Sequence, residues 1–121
     1  MASTKVVTVL ADNVTLTAGA GNTTSSVATL DDGYGAALHI KLTNGATGPT
    51  VAASVQIQVS ADNSEYYNFG GAFTGSTTNS AVVSWGGVEI PIGVEYLRIV
   101  SGSNTGQNVR LDADISEISV V

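Results

Sequence analysis

Ser54-Val55-Gln56-Ile57-Gln58-Val59-Ser60 and Asn108-Val109-Arg110-Leu111-Asp112-Ala113-Asp114-Ile115 alternate apolar with polar side chains one by one. A period of two places all the apolar groups of such a segment on one face of a strand, against a core, and the polar groups on the other. The same texture extends outward from both stretches, as short runs of Val, Ile and Leu broken by Gly, Asn, Asp and Ser. Strands are expected at residues 5–10, 13–17, 26–30, 36–43, 52–60, 66–69, 81–84, 88–90, 95–100, 108–115 and 118–120. No window long enough for a helix carries apolar spacing of three and four without a Gly or a turn cluster, so helices are absent or a single turn long. Turns fall at Asn44-Gly45, Asp31-Asp32-Gly33, Gly70-Gly71, Gly86-Gly87 and Asn104-Thr105-Gly106, which supply positive-φ positions at low steric cost. Pro91 lacks an amide donor and belongs at the start of a strand or on a sheet edge. Short strands in this number form two packed sheets or a closed barrel; the expected fold is all-β, a single-domain antiparallel β-sandwich of jelly-roll type spanning 1–121.

Two irregularities bear on function. From Val109 to Ile115 the apolar residues take odd numbers, whereas Ile118 and Val120 take even ones, so a bulge or a change of strand is expected near Ser116 and Glu117. At the other end, Val6, Val7, Val9 and Leu10 present apolar groups on both faces of one segment. Either this is a buried strand or it adds to a sheet edge of another subunit. These six residues, in residues 1–10 and in the last strand, are the candidate partner interface.

Composition narrows the rest. The chain has 121 residues, 43% of them hydrophobic and only 12% charged, with Ser and Thr filling many polar positions. Surfaces poor in long flexible side chains lose little entropy on contact and suit stable packing against neighbours. Ten carboxylates against four basic side chains give a formal charge of −6, which repels phosphate backbones and anionic headgroups, so neither nucleic acid nor membrane is an expected partner. There is no cysteine, which removes thiol chemistry and Cys-ligated zinc. Thr8, Asp12 and Asn13 interrupt the N-terminal apolar run, so no signal peptide is expected, and the chain is expected to be made in the cytoplasm of its cell and to leave it only by lysis or by a dedicated route.

No reaction centre is legible. His39 shares the polar face of Leu38-His39-Ile40-Lys41-Leu42 with Lys41 and reads as a surface histidine; as the sole histidine it cannot build a two-His metal centre. A Ser-His-Asp set is allowed by abundance alone, and no Gly-x-Ser-x-Gly elbow occurs. Asp31-Asp32 reads as a turn, and Asp112 with Asp114 as the soluble face of a strand, where a glycosidase needs two carboxyl groups across a cleft. Asp62-Asn63-Ser64-Glu65 offers oxygen ligands at short spacing but lacks the glycine and distant glutamate of an EF-hand, and reads as a hairpin turn. Gly19-Ala20-Gly21 lacks the strand-to-helix setting of a phosphate cradle. Tyr34, Tyr66, Tyr67, Trp85 and Tyr96 are the candidates for a sugar-stacking platform, with Trp85 placed at an exposed loop. Tyr66 and Tyr67 are adjacent on a strand and face opposite ways, so at least one is expected in the core. No enzyme activity, cofactor or metal is expected.

Ser54 to Tyr67 runs as an alternating strand, a Ser-x-Asp turn and an aromatic pair; Ile90-Pro91-Ile92-Gly93-Val94-Glu95-Tyr96-Leu97-Arg98-Ile99 leads through Asn104-Thr105-Gly106 to another alternating strand. In these phrases, about a third of the chain, the sequence resembles small β-sandwich decoration, or cement, proteins of tailed bacteriophage capsids. The resemblance implies a non-enzymatic structural protein on the capsid surface of the virion, binding across capsomers and stabilising the head. Its implied partners are the major capsid protein and copies of itself in a homo-oligomer. The rival readings are a carbohydrate- or receptor-binding module of a phage tail or fibre, and a small hydrolase using paired carboxylates.

Overall fold

The computed structural model describes residues 3–30, 33–91 and 93–120, the side chains of 3–5, 33–34 and 118–120 excepted. Its strands are, in chain order, β1 (Ser3–Leu16), β2 (Asn22–Thr24), β3 (Ala28–Thr29), β4 (Gly33–Asn44), β5 (Ser54–Ser60), β6 (Tyr67–Asn68), β7 (Phe73–Thr74), β8 (Val82–Ile90), β9 (Tyr96–Gly102) and β10 (Val109–Val120), with no helix among the described residues. Alternation buries Leu38, Ile40 and Leu42 on one face of β4 and Leu111, Ala113 and Ile115 on the same face of β10. These strands pair antiparallel with Ile40 opposite Ala113 and Leu42 opposite Leu111, and β1 and β8 complete a sheet ordered β1-β10-β4-β8. The second sheet buries Val55 and Ile57 of β5 and Leu97 and Ile99 of β9, with Ile57 opposite Ile99. β2 and β3 flank β9, and β6 and β7 flank β5.

The nesting of these pairs defines the topology. β1 pairs with β10, β2 and β3 with β9, β4 with β8, and β5 with β6 and β7, so the chain behaves as one long hairpin. That hairpin rolls over until β10 also meets β4 and β9 also meets β5, which is a jelly roll of two Greek keys, as the sequence predicts.

Several expected breaks are bulges within longer strands. Residues 5–10 and 13–17 form the single strand β1, whose register against β10 shifts between Val9 and Ala11 and again between Ala11 and Val14. There Asn13 adopts a φ of 52° and donates its amide to Asp112 Oδ1 at 2.9 Å. Gly86-Gly87 is likewise no turn: it is a bulge in β8 opposite His39, with Gly87 at φ 68°, so residues 81–84 and 88–90 join in one strand. Residues 108–115 and 118–120 are also continuous. Beside their change of phase the register against β4 shifts between Glu117 and Ser119, with the extra residue on β4 between Gly33 and Ala36, while β10 keeps unbroken register with β1 there. One inserted residue changes the face a strand presents without ending it, which hydropathy alone registers as an interruption.

Smaller departures have local causes. Residues 26–30 contribute only the two-residue β3, preceded by β2, and β7 lies in a Gly-rich segment that carries no alternation. Gly70 and Gly106 take positive φ as expected, but Gly45 does not. Instead the buried Asn44 ends β4 and its Nδ2 donates to the carbonyls of Ser76 and Thr78, both at 2.8 Å. Asp31 and Asp32 lie outside the described residues. Gly102 is demanded by a close approach: a Cβ there would stand 2.3 Å from the Gly21 carbonyl oxygen. Buried Asn104 donates Nδ2 to the carbonyls of Leu16 and Gln107, both at 2.9 Å, joining the end of β1 to the β9–β10 connection.

Truncating Leu111 to Ala removes packing at the centre of the first sheet and is expected to cost about 2–5 kcal/mol. Val82→Ala, at an exposed position of β8, is expected to change stability by less than about 0.5 kcal/mol. Urea denaturation of the two variants checks the contrast.

Candidate functional site

The two terminal segments singled out in the sequence become neighbours. β1 runs antiparallel to the end of β10, with Lys5 opposite Ile118 and Ser3 opposite Val120, so the first and last strands lie side by side in one sheet. Val6, Val7 and Val9 are 41%, 55% and 56% exposed, whereas Leu10 is 6% exposed and belongs to the intramolecular core. The side chains of Ile118 and Val120 lie outside the described residues. The N-terminal segment is thus an intrachain edge strand whose first half carries solvent-facing valines.

Beside these valines the outer face of the first sheet forms a groove of about 550 Å³. β1 contributes Val9 and Asp12, β10 Asp112 and Asp114, β4 His39 and Lys41, and β8 Ser84 and Gly86. Pairing explains the arrangement, since outward residues of adjacent strands fall in rows. Val9, Asp114 and His39 make one row and Asp112, Lys41 and Ser84 the next. The glycine bulge opposite His39 leaves the β8 side of the first row without side-chain bulk beyond Cα.

Two pairs of polar groups meet on this face. His39 Nδ1 lies 3.3 Å from Asp114 Oδ1, with both side chains about half exposed. Asp112 accepts from Arg110 Nε through Oδ2 at 2.9 Å, while its Oδ1 takes the Asn13 amide. Burial works against the Asp112 anion, but the Asn13 amide, the Arg110 guanidinium and then Lys41 outweigh it and hold its carboxyl below the usual carboxylate range. A His-Asp contact with a serine in the same groove has the membership of a hydrolytic triad but not its geometry. Ser84 stands opposite Lys41, and no hydrogen bond joins it to His39 among the described residues.

The remaining candidates resolve into structural roles. Asp62 Oδ1 accepts from the amides of Ser64 (2.9 Å) and Glu65 (3.0 Å) and from Ser60 Oγ (3.0 Å), as a capped turn requires. The Glu65 amide, then those of Ser64 and the Ser60 hydroxyl, hold the Asp62 carboxyl below its ordinary value. Among the described residues no three His, Asp or Glu side chains converge as a metal site. Trp85 is not at an exposed loop. It is half-buried within β8, its ring tilted against Phe73 of the opposite sheet at a centroid distance of 5.2 Å. Only Tyr67 lies in a strand, and neither tyrosine joins the core: Tyr66 lies under the Arg98 guanidinium at 3.8 Å, and Tyr67 is 65% exposed with its hydroxyl donating to Glu65. The outward positions of His39, Lys41, Asp112 and Asp114 were readable from alternation. That they share one groove with Asp12 and Ser84 was not, because strand adjacency is a long-range property.

No family model matches the chain, and no curated protein sequence does. Solved structures do share its fold. A chain in the structure of infectious bursal disease virus Gx strain superposes with a TM-score of 0.61 at 12% identity, covering 97% of this chain and 32% of that one. The VP2 subviral particle of the same virus gives 0.61 at 10% identity, with coverages of 97% and 33%. The SPBc2 prophage-derived protein YomS gives 0.57 at 9% identity, with coverages of 98% and 96%. This chain therefore spans about a third of the viral chains it resembles and nearly all of the prophage protein. At such identities the likeness shows a common β-sandwich fold.

Replacing Asp112 with Ala strands the Asn13 amide and the Arg110 guanidinium and is expected to cost about 1 kcal/mol at neutral pH. Because the folded carboxyl titrates below the unfolded one, its stabilisation is present above the unfolded value, about 3.9, and is lost as pH falls through the lower folded value. Denaturation of wild type and Asp112→Ala across that range is expected to give a stability difference that shrinks on acidification.

Proposed function

We propose that this chain is a non-enzymatic virion structural protein, a decoration or cement protein that packs onto the major capsid protein across capsomers and stabilises the head. The observation that carries the reading is an intact jelly roll whose one long edge strand displays Val6, Val7 and Val9 to solvent beside the last strand. Exposed apolar groups clustered at one place mark surfaces that a partner covers. The shared fold with VP2 of a subviral particle and with a prophage-derived protein over nearly its whole length supports this setting.

The mechanism is contact alone. Val7 and Val9 lie on the outward parity of β1, flanked by the polar groups of the groove, an apolar centre with a polar rim of the kind stable interfaces use. Low charge density and short polar side chains keep the entropic cost of that contact small. Trp85, the leading aromatic of the rival sugar-binding reading, is half-buried with its ring tilted against Phe73, and it borders the groove.

The test is occupancy on virus particles whose genome encodes the chain, by cryo-electron microscopy and by co-sedimentation. Val7→Lys combined with Val9→Lys alters two positions more than half exposed, so the fold is expected to survive while particle binding falls at least about tenfold. Unchanged occupancy of the folded double variant overturns the reading. A glycan-array signal that Tyr67→Ala abolishes would favour the receptor-binding alternative.

A further inference from the structure

We propose that the first half of β1 pairs antiparallel with the same segment of a second copy of this chain, about a two-fold axis near Val7, merging two four-stranded sheets into one continuous sheet. This deepens the assembly reading by naming one partner and its geometry.

Sheet edges recruit other strands unless something prevents it, and among the described residues every other edge of this sandwich is guarded. The second sheet ends in β2 and β3 on one side and β6 and β7 on the other, fragments of two or three residues. In the first sheet, β8 is broken at its middle by the Gly86-Gly87 bulge and carries the exposed Glu89. β1 has neither protection in its first half. Its register with β10 runs unbroken from Ser3 opposite Val120 to Val9 opposite Asp114, the bulges begin only after Val9, and residues 6–11 carry no charge. Among the described residues, its other side meets no strand of its own chain.

Charge selects a second copy as the occupant and sets its direction. Lys5 precedes the uncharged stretch and Asp12 follows it. With Val7 opposite Val7, an antiparallel partner of identical sequence sets Lys5 of each copy opposite the uncharged Val9 of the other, whereas a parallel copy in register sets Lys5 beside Lys5 and Asp12 beside Asp12. The −6 charge of each molecule opposes self-association over most of the surface, and this neutral edge is where two copies approach at least cost. Seven residues span about 24 Å of strand. A contact of that length falls short of the roughly 1,200 Å² that stable pairs bury, so the free dimer is weak and becomes populated where copies are held together on a surface.

The absence of cysteine makes single-cysteine variants clean probes. Val7→Cys, Val9→Cys and Val82→Cys are oxidised in solution and on particles, with folding checked by circular dichroism; Val82 lies on the opposite edge of the same sheet and is 58% exposed. Covalent dimer is expected in the order Val7→Cys, then Val9→Cys, with Val82→Cys at the level of random collision. Equal yields at all three positions, or no dimer from Val7→Cys in either setting, overturn the pairing. A chain that decorates particles without cross-linking at Val7 sinks the self-pairing and leaves the assembly reading intact. A Val7-linked dimer that never joins particles sinks the assembly reading and leaves the pairing.

Discussion

The insertion of β10 between β1 and β4 is the contact on which the rest of the molecule depends. It joins the last strand to the first and to the middle of the chain, and it supplies Leu111, Ala113 and Ile115 to the core. Without it, β1 has no hydrogen-bonded neighbour and the β4–β8 pair faces the second sheet alone. Jelly-roll pairings of this kind close long loops before they return any burial, a topology that slows folding. The same pairing puts the first and last strands at one side of one sheet and leaves β1 as its edge.

Bulges then decide what that sheet presents. Asn13, in a left-handed conformation that asparagine tolerates better than most residues, turns β1 away from regular pairing and gives its amide to Asp112. One irregularity thus bends the second half of the edge, anchors a carboxylate and leaves the first half straight. On the opposite edge, Gly86 and Gly87 open the groove beside His39 and interrupt strand pairing together. The outer face between these bulges carries three aspartates, with Arg110 and Lys41 beside Asp112 and His39 against Asp114.

Jelly rolls serve lectins and capsids alike, and function resides in what is placed on them. Here two of the aromatic side chains make structural contacts, Trp85 with Phe73 across the sheets and Tyr66 beneath Arg98, while Tyr67 is exposed. His39 and Asp114 touch on an open face with no aligned nucleophile. The run of exposed valines on a straight strand edge is a feature suited to contact with other proteins.

Alternation, clearest in residues 54–60 and 108–115 and repeated along the chain, was enough to determine the all-β class and many of the buried residues, because a period of two is a local property that survives folding. Leu38, Ile40, Leu42, Val55, Ile57, Leu97, Ile99 and Leu111 were all legible in this way. The sequence also isolated the valines of residues 6–9, but it grouped Leu10 with them, since one-residue shifts at a bulge cannot be seen in hydropathy. Which strands are neighbours, where a bulge replaces a turn, and which edge stays unguarded were decided only in three dimensions. Those properties arise from pairing between residues up to the full length of the chain apart, Ser3 against Val120 at the extreme, and no local pattern encodes them.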